Sequence, residues 1–330
     1  MLDHGSGGRI SQRLISDLML PAFNNNILSQ LGDGAVLELE GTRIAFSTDT
    51  FTVDPLFFPG GDIGMLSVNG TVNDLSMCGA VPCFLSIGVL MEEGLPMEDL
   101  WKIVLSMKQA ADRAGARIVT GDTKVVDHGS GDKIFINTTG IGKVREGVRI
   151  DPANCRPGDA VILNGYIGDH GIAIMSAREG LKFETSIESD SAPLNGLVNS
   201  ILDTSRDISV LRDPTRGGVA TTLNEISRAS GTGMVLNEMD IPVRDEVRGA
   251  CEILGLDPLY IANEGKLLVI VPESKAGRVL EAMKNHPLGN NSSIIGHVTA
   301  EHPSVVRMIT SIGSSRILDM LSGDQLPRIC

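Results

Sequence analysis

Pro96-Met97-Glu98-Asp99-Leu100-Trp101-Lys102-Ile103-Val104-Leu105-Ser106-Met107-Lys108-Gln109-Ala110-Ala111-Asp112-Arg113-Ala114-Gly115-Ala116-Arg117-Ile118-Val119-Thr120 decides the fold class. Leu100, Ile103, Val104, Met107, Ala110, Ala111 and Ala114 recur three or four residues apart, so they line one face of a helix. Pro96 suits its first turn and Gly115 its left-handed cap. Directly after it, Arg117-Ile118-Val119-Thr120 reads as a strand that ends in a turn at Gly121-Asp122-Thr123-Lys124. Working outward, residues 43–48, 83–90 and 134–138 read as further strands, and 65–79 has helical spacing. The polar stretch 149–158, with Pro152, Pro157 and Gly158, is the best linker in the chain. Beyond it the pattern restarts, with strands at 160–164, 267–271 and 294–298 and helices from about 168, at 218–229 and at 275–284. The expectation is an α/β (α+β) protein with domains at 1–150 and 151–313, which suits 330 residues. Residues 314–330, with Gly323, Asp324, Pro327 and little periodicity, read as a mobile tail.

The formal charge of −13 argues against a nucleic-acid partner, because affinity for a phosphate backbone comes from clustered Lys and Arg. A polyanionic ligand such as a nucleotide would need metal ions to offset that charge. The first residues lack the apolar core of a signal peptide, and no run is long enough to span a bilayer, so a cytoplasmic protein without a membrane partner is expected. Five cysteines without a C-x-x-C pair point to reduced thiols, with Cys78 and Cys83 read as small core residues.

Several carboxylates stand where elements meet glycine-rich turns: Asp33, Asp49, Asp74 and Asp122. Such hard oxygen ligands suit Mg²⁺ together with phosphate oxygens, although an Asp in a turn is ordinarily a cap. Asp74 is the least ordinary, because Asn69, Asn73 and Asp74 gather on one flank of an otherwise apolar helical segment. Gly5-Ser6-Gly7-Gly8 and Gly129-Ser130-Gly131 are able to offer backbone N–H groups to phosphates or to be plain surface turns. No Walker A motif occurs. Arg212-Asp213-Pro214-Thr215-Arg216-Gly217-Gly218 precedes a helix and suits an anion or a simple helix start. Glu264, in Ala262-Asn263-Glu264-Gly265-Lys266, is a general base or a turn carboxylate. Gly168-Asp169-His170-Gly171-Ile172 echoes Gly61-Asp62-Ile63-Gly64-Met65, a weak sign of duplication. Cys330 is the last residue, a position in which a thiol on a mobile tail can carry an acyl-type group between enzymes.

Taken together, His4-Gly5-Ser6-Gly7-Gly8, Phe46-Ser47-Thr48-Asp49, the stretch 54–61, Gly121-Asp122-Thr123-Lys124-Val125-Val126, Arg216-Gly217-Gly218, Ala262-Asn263-Glu264-Gly265-Lys266 and Pro327-Arg328-Ile329-Cys330 resemble the HypE family of hydrogenase expression/formation proteins. That family lies within the superfamily of aminoimidazole ribonucleotide synthetase, selenophosphate synthetase and thiamine-monophosphate kinase. The resemblance spans essentially the whole chain, and the terminal cysteine separates it from selenophosphate synthetase, whose reactive Cys or selenocysteine lies near the N-terminus.

The resemblance implies a two-domain PurM-like fold, with the N-terminal sheets of a homodimer joined in a barrel and a C-terminal α/β sandwich. It implies maturation of [NiFe]-hydrogenase: a carbamoyltransferase, HypF, loads the terminal cysteine, and ATP-dependent dehydration turns the thiocarbamate into a thiocyanate. The cyano group then passes to the iron-centre assembly proteins HypC and HypD. ATP and Mg²⁺ are the implied cofactors. Cys330, Lys124 and Glu264 take the catalytic roles, Lys124 and Glu264 by positioning the thiocarbamate and moving its protons. Asp33, Asp49, Asp74 and Asp122 become the metal-binding carboxylates. Gly5, Ser6, Gly7, Gly8, Asn73, Thr123, Arg216, Gly217 and Gly218 join them around the nucleotide, with Asp213 as a further metal candidate. A non-enzymatic metallochaperone and a small-molecule kinase of the same superfamily are the alternative readings.

Overall fold

The computed structural model describes residues 8–23, 25–180, 187–321, 323, 326 and 328–330. The first domain contains α1 (Arg9–Leu14), α2 (Leu20–Phe23), β1 (Ala35–Leu39), β2 (Thr42–Phe51), the short pair β3 (Phe57–Phe58) and β4 (Gly61–Asp62), α3 (Ile63–Met77), β5 (Ala80–Glu92), α4 (Met97–Ala114), β6 (Arg117–Val126) and β7 (Ile134–Val144). The second contains β8 (Asp159–Leu163), α5 (Asp169–Glu179), α6 (Asn195–Thr204), β9 (Val210–Arg212), α7 (Gly218–Ser230), β10 (Gly233–Asn237), α8 (Asp245–Leu254), β11 (Leu268–Pro272), α9 (Glu273–Lys284), β12 (Ser293–Thr299), β13 (Val306–Ile309) and β14 (Ser315–Leu318).

The first sheet has the order β1-β2-β7-β5-β6. Its strands alternate as a half-covered sheet requires: Ile134, Ile136, Thr138 and Val144 of β7 are buried beneath α3, while Ile141, between them, is exposed. α4 buries Ile103, Met107, Ala110, Ala111 and Ala114 as the spacing predicts, and Gly115 closes it with φ 68°. Val104, assigned to the same face, points to solvent because it lies at the edge of that stripe. The expected turn at 121–124 is the middle of β6: Gly121 to Lys124 pair in parallel with Ile87 to Leu90. A Cβ on Gly121 would lie 2.5 Å from the Ile87 carbonyl oxygen, so the glycine serves close strand approach rather than a reversal.

α3 is buried almost all round, because it lies between the first sheet and the second domain. Asp62 caps it, accepting from the N–H groups of Gly64 (2.7 Å) and Met65 (3.0 Å). Threonine and serine replace leucine where it meets β7, and Thr138 Oγ1 donates to the Ser67 carbonyl at 2.8 Å.

The second sheet, β14-β13-β10-β12-β8-β11-β9, is covered on both faces. β8 is buried throughout, as a strand between two helical layers must be, with α7 on one side and α6 and α9 on the other. β14 pairs with β13, so residues 315–318 belong to this sheet and the tail proper is shorter than the sequence suggests.

Candidate active site

The terminal residues are docked in this structure. Ile329 forms an antiparallel bridge with Val53, and Leu326, Ile329 and Cys330 are buried in the main core cluster between the domains. The sequence reading of a mobile tail thus meets a seated one, held by apolar burial and by main-chain hydrogen bonds. Asp54 N–H donates to the Arg328 carbonyl at 3.2 Å, and Arg178 Nη2 donates to the same oxygen at 2.7 Å. Arg328 itself reaches Asp132 at 3.1 Å.

Cys330 Sγ accepts from Arg216 Nε at 3.2 Å. Burial pushes the thiol up to about 11, opposed by the Arg216 guanidinium and reinforced by Glu264 and Asp49. Glu264 is fully enclosed, and burial together with the negative charges of Asp213, Asp49 and Asp190 holds its carboxyl well above the ordinary range. A thiol, a guanidinium and a carboxyl whose pKa burial raises thus lie close together in the buried region.

Beside them lies a carboxylate cluster. Burial raises Asp33 and Asp74 well above the ordinary carboxylate range, Asp49 is also raised by burial, and Asp213 is pushed up to about 6 by burial and Asp49 against the pull of Arg212. Asp213 and Asp49 add to the elevation of Asp74. Arg212 Nε pairs with Asp33 at 3.0 Å and Arg212 Nη2 with Glu225 at 2.9 Å, while Ser47 Oγ donates to Asp74 at 2.6 Å. Crowded carboxylates with too little positive charge between them are a hard-oxygen donor set that suits a divalent cation. Among the described residues no three such side chains already converge as a closed metal site, so phosphate oxygens would have to complete the coordination.

Other expected site residues lie elsewhere. Asp122 and Lys124 face each other at 3.4 Å on the exposed edge strand β6, with Thr123 between them, outside the buried cluster of their own chain. Asn73, expected to bind the cofactor, is committed to structure: Oδ1 accepts from Leu194 N–H at 2.8 Å, and Nδ2 donates to the Ala192 and Glu264 carbonyls at 3.1 and 3.2 Å. Asn69 donates to Ser191 Oγ at 3.1 Å, so the polar flank of α3 is the tether between domains. Gly5, Ser6 and Gly7 lie outside the described residues, and Gly8 packs so closely on Leu321 that a Cβ would stand 2.6 Å from its carbonyl oxygen. Gly129 N–H is taken by the Glu92 carboxylate, a surface turn rather than a phosphate loop. Gly217 and Gly218 have φ of 73° and 60° at the start of α7, and a Cβ on Gly218 would meet the Leu259 carbonyl at 2.5 Å. They set the backbone that carries Arg216. Sequence reading passed over Arg178 and His170 as site residues; the Gly-Asp-His-Gly echo was the only hint of the latter.

The models of the AIR synthase related protein N-terminal and C-terminal domains match residues 31–144 and 156–309. The carbamoyl dehydratase HypE of Azotobacter vinelandii is 55% identical over 327 residues, covering 99% of this chain and 96% of that protein. The chain belongs to the HypE family. HypE of Escherichia coli K12 is 45% identical over 334 residues, covering 100% of this chain and 98% of that protein. Among solved structures, a HypE–HypF complex superposes with TM-score 0.89 at 52% identity, covering 93% of this chain and 99% of that one. HypE in complex with ATP superposes with TM-score 0.85 at 52% identity, covering 100% and 99%. Thiamine monophosphate kinase of Aquifex aeolicus shares the fold at TM-score 0.67 and 17% identity, covering 93% of this chain and 99% of that one. The two-domain PurM-like α/β fold expected from the motifs is therefore the fold of this chain.

Proposed function

We propose that this HypE family member is an ATP-dependent carbamoyl dehydratase of [NiFe]-hydrogenase maturation that works on its own Cys330. The thiol carries a carbamoyl group as S–C(=O)NH2, and the reaction leaves S–C≡N. Oxygen departs in phosphate: thiocarbamate plus ATP gives thiocyanate, ADP, phosphate and one proton. What carries this reading is the contact of Cys330 Sγ with Arg216 Nε at 3.2 Å in a closed pocket that also holds Glu264. Curated relatives bear the name carbamoyl dehydratase, and a solved relative holds ATP.

ATP would supply the phosphoryl group that makes the amide oxygen a competent leaving group, and Mg²⁺, when bound, would screen its charge. Asp33, Asp49, Asp74 and Asp213 would hold the metal and the phosphates, since their mutual repulsion is relieved by a cation. Glu264, whose carboxyl is a stronger base once ionised than an exposed glutamate, takes an N–H proton as the C≡N bond completes. Arg216 sits beside sulfur, where it orients the thiocarbamate and Cys330. Burial of the tail keeps bulk water from the thiocarbamate carbon. β6 leaves its apolar Ile118, Val119 and Val125 and its polar Asp122, Thr123 and Lys124 exposed. A homodimer joined through this sheet would cover the first set and bring the second to a nucleotide held near the joint. The loading partner would be HypF and the acceptors HypC and HypD, in the cytoplasm. No helix among the described residues is long and apolar enough to cross a membrane.

Intact mass of the carbamoylated protein before and after Mg–ATP tests the reading. The expected result is loss of one water from the C-terminal peptide; ATP consumed with the peptide mass unchanged overturns it.

A further inference from the structure

His170 lies in the Gly168-Asp169-His170-Gly171-Ile172 segment at the start of α5 and is wholly buried, yet the chemistry above leaves it without a task. Both ring nitrogens are engaged: Nε2 lies 2.7 Å from the Ile329 carbonyl oxygen and Nδ1 2.8 Å from Ser189 Oγ. A carbonyl only accepts, so the ring proton is on Nε2, and Nδ1 must accept from the Ser189 hydroxyl. That hydroxyl in turn accepts from Ser191 N–H at 3.1 Å. The order Ser191 N–H, Ser189 O–H, His170 Nε2–H, Ile329 C=O is therefore fixed in direction. The Phe58 ring, edge-on at 5.8 Å between centroids, holds the imidazole laterally. Burial keeps the ring below its ordinary titration range, against Asp190 and the Ile329 carbonyl, so it stays the neutral tautomer this relay requires.

We propose that His170, oriented by Ser189, is the positioning residue of the thiol-bearing tail: through the Ile329 carbonyl it sets Cys330 in register with Arg216 and Glu264. As a statement about catalysis this rests on the proposed dehydratase reading; as a statement about tail docking it does not.

Two further observations shape the proposal. Beside the apolar burial of Leu326 and Ile329, the tail is held through its main chain: the carbonyls of Arg328 and Ile329 take Arg178, Asp54 N–H and His170. None of these main-chain contacts uses the Cys330 side chain, so the same hydrogen bonds are open to a free and to a carbamoylated tail. The loop that orients His170 also positions the base. Ser189 N–H donates to the Pro59 carbonyl at 2.8 Å, and the next residue, Asp190, accepts Glu264 N–H on Oδ1 at 3.0 Å and pairs with Lys266 at 3.0 Å. Carrier and base are thus both referenced to residues 189 and 190. Beneath the tail, Gly171 makes room first for Ile261 and then for Leu326: a Cβ there would stand 2.5 Å from Ile261 Cγ2 and 3.1 Å from Leu326 Cδ1.

The test is the rate of Cys330 alkylation by iodoacetamide in the full chain, without nucleotide or carbamoyl donor, read by mass spectrometry of the Asp-N peptide 324–330. Losing one buried hydrogen bond and its orientation shifts the docked fraction by about tenfold. His170→Ala is expected to speed Cys330 modification about tenfold or more. Ser189→Ala, which barely alters packing, is expected to act in the same direction by a smaller factor. His170→Gln, whose amide N–H reaches the Ile329 carbonyl from nearly the same place, is expected to restore most of the protection. Cys78 and Cys155 are buried in other core clusters and should stay protected, which separates undocking from unfolding. If they open in His170→Ala, the Ser189→Ala and His170→Gln pair decides. Cys330 protection within twofold of wild type in Ser189→Ala, or no rescue by glutamine, overturns the proposal. In the carbamoylated protein, His170→Ala is expected to lower the turnover of bound thiocarbamate while leaving KM for ATP within twofold. A wild-type protein that protects Cys330 in this way but never dehydrates it would refute the dehydratase and leave the latch standing.

Discussion

Replacing Asp213 with asparagine removes one buried negative charge and keeps the shape of the side chain. In the fold this carboxyl titrates near 6 against an ordinary value of 3.8, the elevation coming first from burial and then, opposing Arg212, from Asp49. An acid whose folded value is raised binds more protons folded than unfolded between those two values. Its ionisation therefore costs stability, with no cost below about 4 and the full cost above about 6. The span from 3.8 to about 6 corresponds to about 3 kcal/mol, an upper figure, since relaxation and the loss of attraction to Arg212 reduce it. Asp213→Asn in the ligand-free protein is therefore expected to raise Tm by roughly 3–6 °C at pH 8 and by only about a third as much at pH 4.5, where most of the wild-type carboxyl is still protonated in the fold. Arg212 keeps Asp33 and Glu225 as partners, so the variant strands no cation. The assay is scanning calorimetry with EDTA at pH 4.5, 6 and 8. The gain at pH 8 should be accompanied by a loss of stabilisation by Mg–ATP, because the repulsion serves to attract the cation. A lower Tm at pH 8, or an equal shift at pH 4.5, would refute the idea that these carboxylates are held in electrostatic debt.

Cys330→Ala is expected to abolish thiocyanate formation while nucleotide binding stays within about twofold, measured by calorimetric titration; equal loss of both would make the tail structural. Lys124→Ala sits on an exposed strand, so Tm should move by less than about 1 °C while dehydration falls at least about a hundredfold, the scale of a lost proton-transfer or positioning group. Unchanged turnover of the carbamoylated protein would remove Lys124 from the catalytic set. Gly218→Ala meets both a left-handed φ of 60° and the Leu259 carbonyl, so a destabilisation of at least about 2 kcal/mol is expected by chemical denaturation. Wild-type stability there would show that the start of α7 relaxes.

Local periodicity carried the α4 helix, its glycine cap and most of the named strands, because burial on one face imprints a repeat on the chain. It failed at Gly121 to Lys124, where glycine and polar residues imply a turn but parallel pairing with β5 draws them into a strand. It also missed β14, whose four residues become a strand only by pairing with β13.

For the site, residue chemistry alone singled out Cys330, Glu264 and the carboxylates Asp33, Asp49 and Asp74, since acids beside glycine-rich turns and a thiol at the chain end are visible without coordinates. What tertiary structure decided was company. Burial gives Asp33, Asp74, Asp213 and Glu264 their raised pKa values, and burial is a sum over residues hundreds of positions apart. The same holds for Asn73, which a sequence assigns to a ligand and the fold spends on joining two domains. His170 shows the limit most clearly: its role depends on a carbonyl 159 residues later and a hydroxyl on a separate loop, and neither leaves a trace in the local pattern.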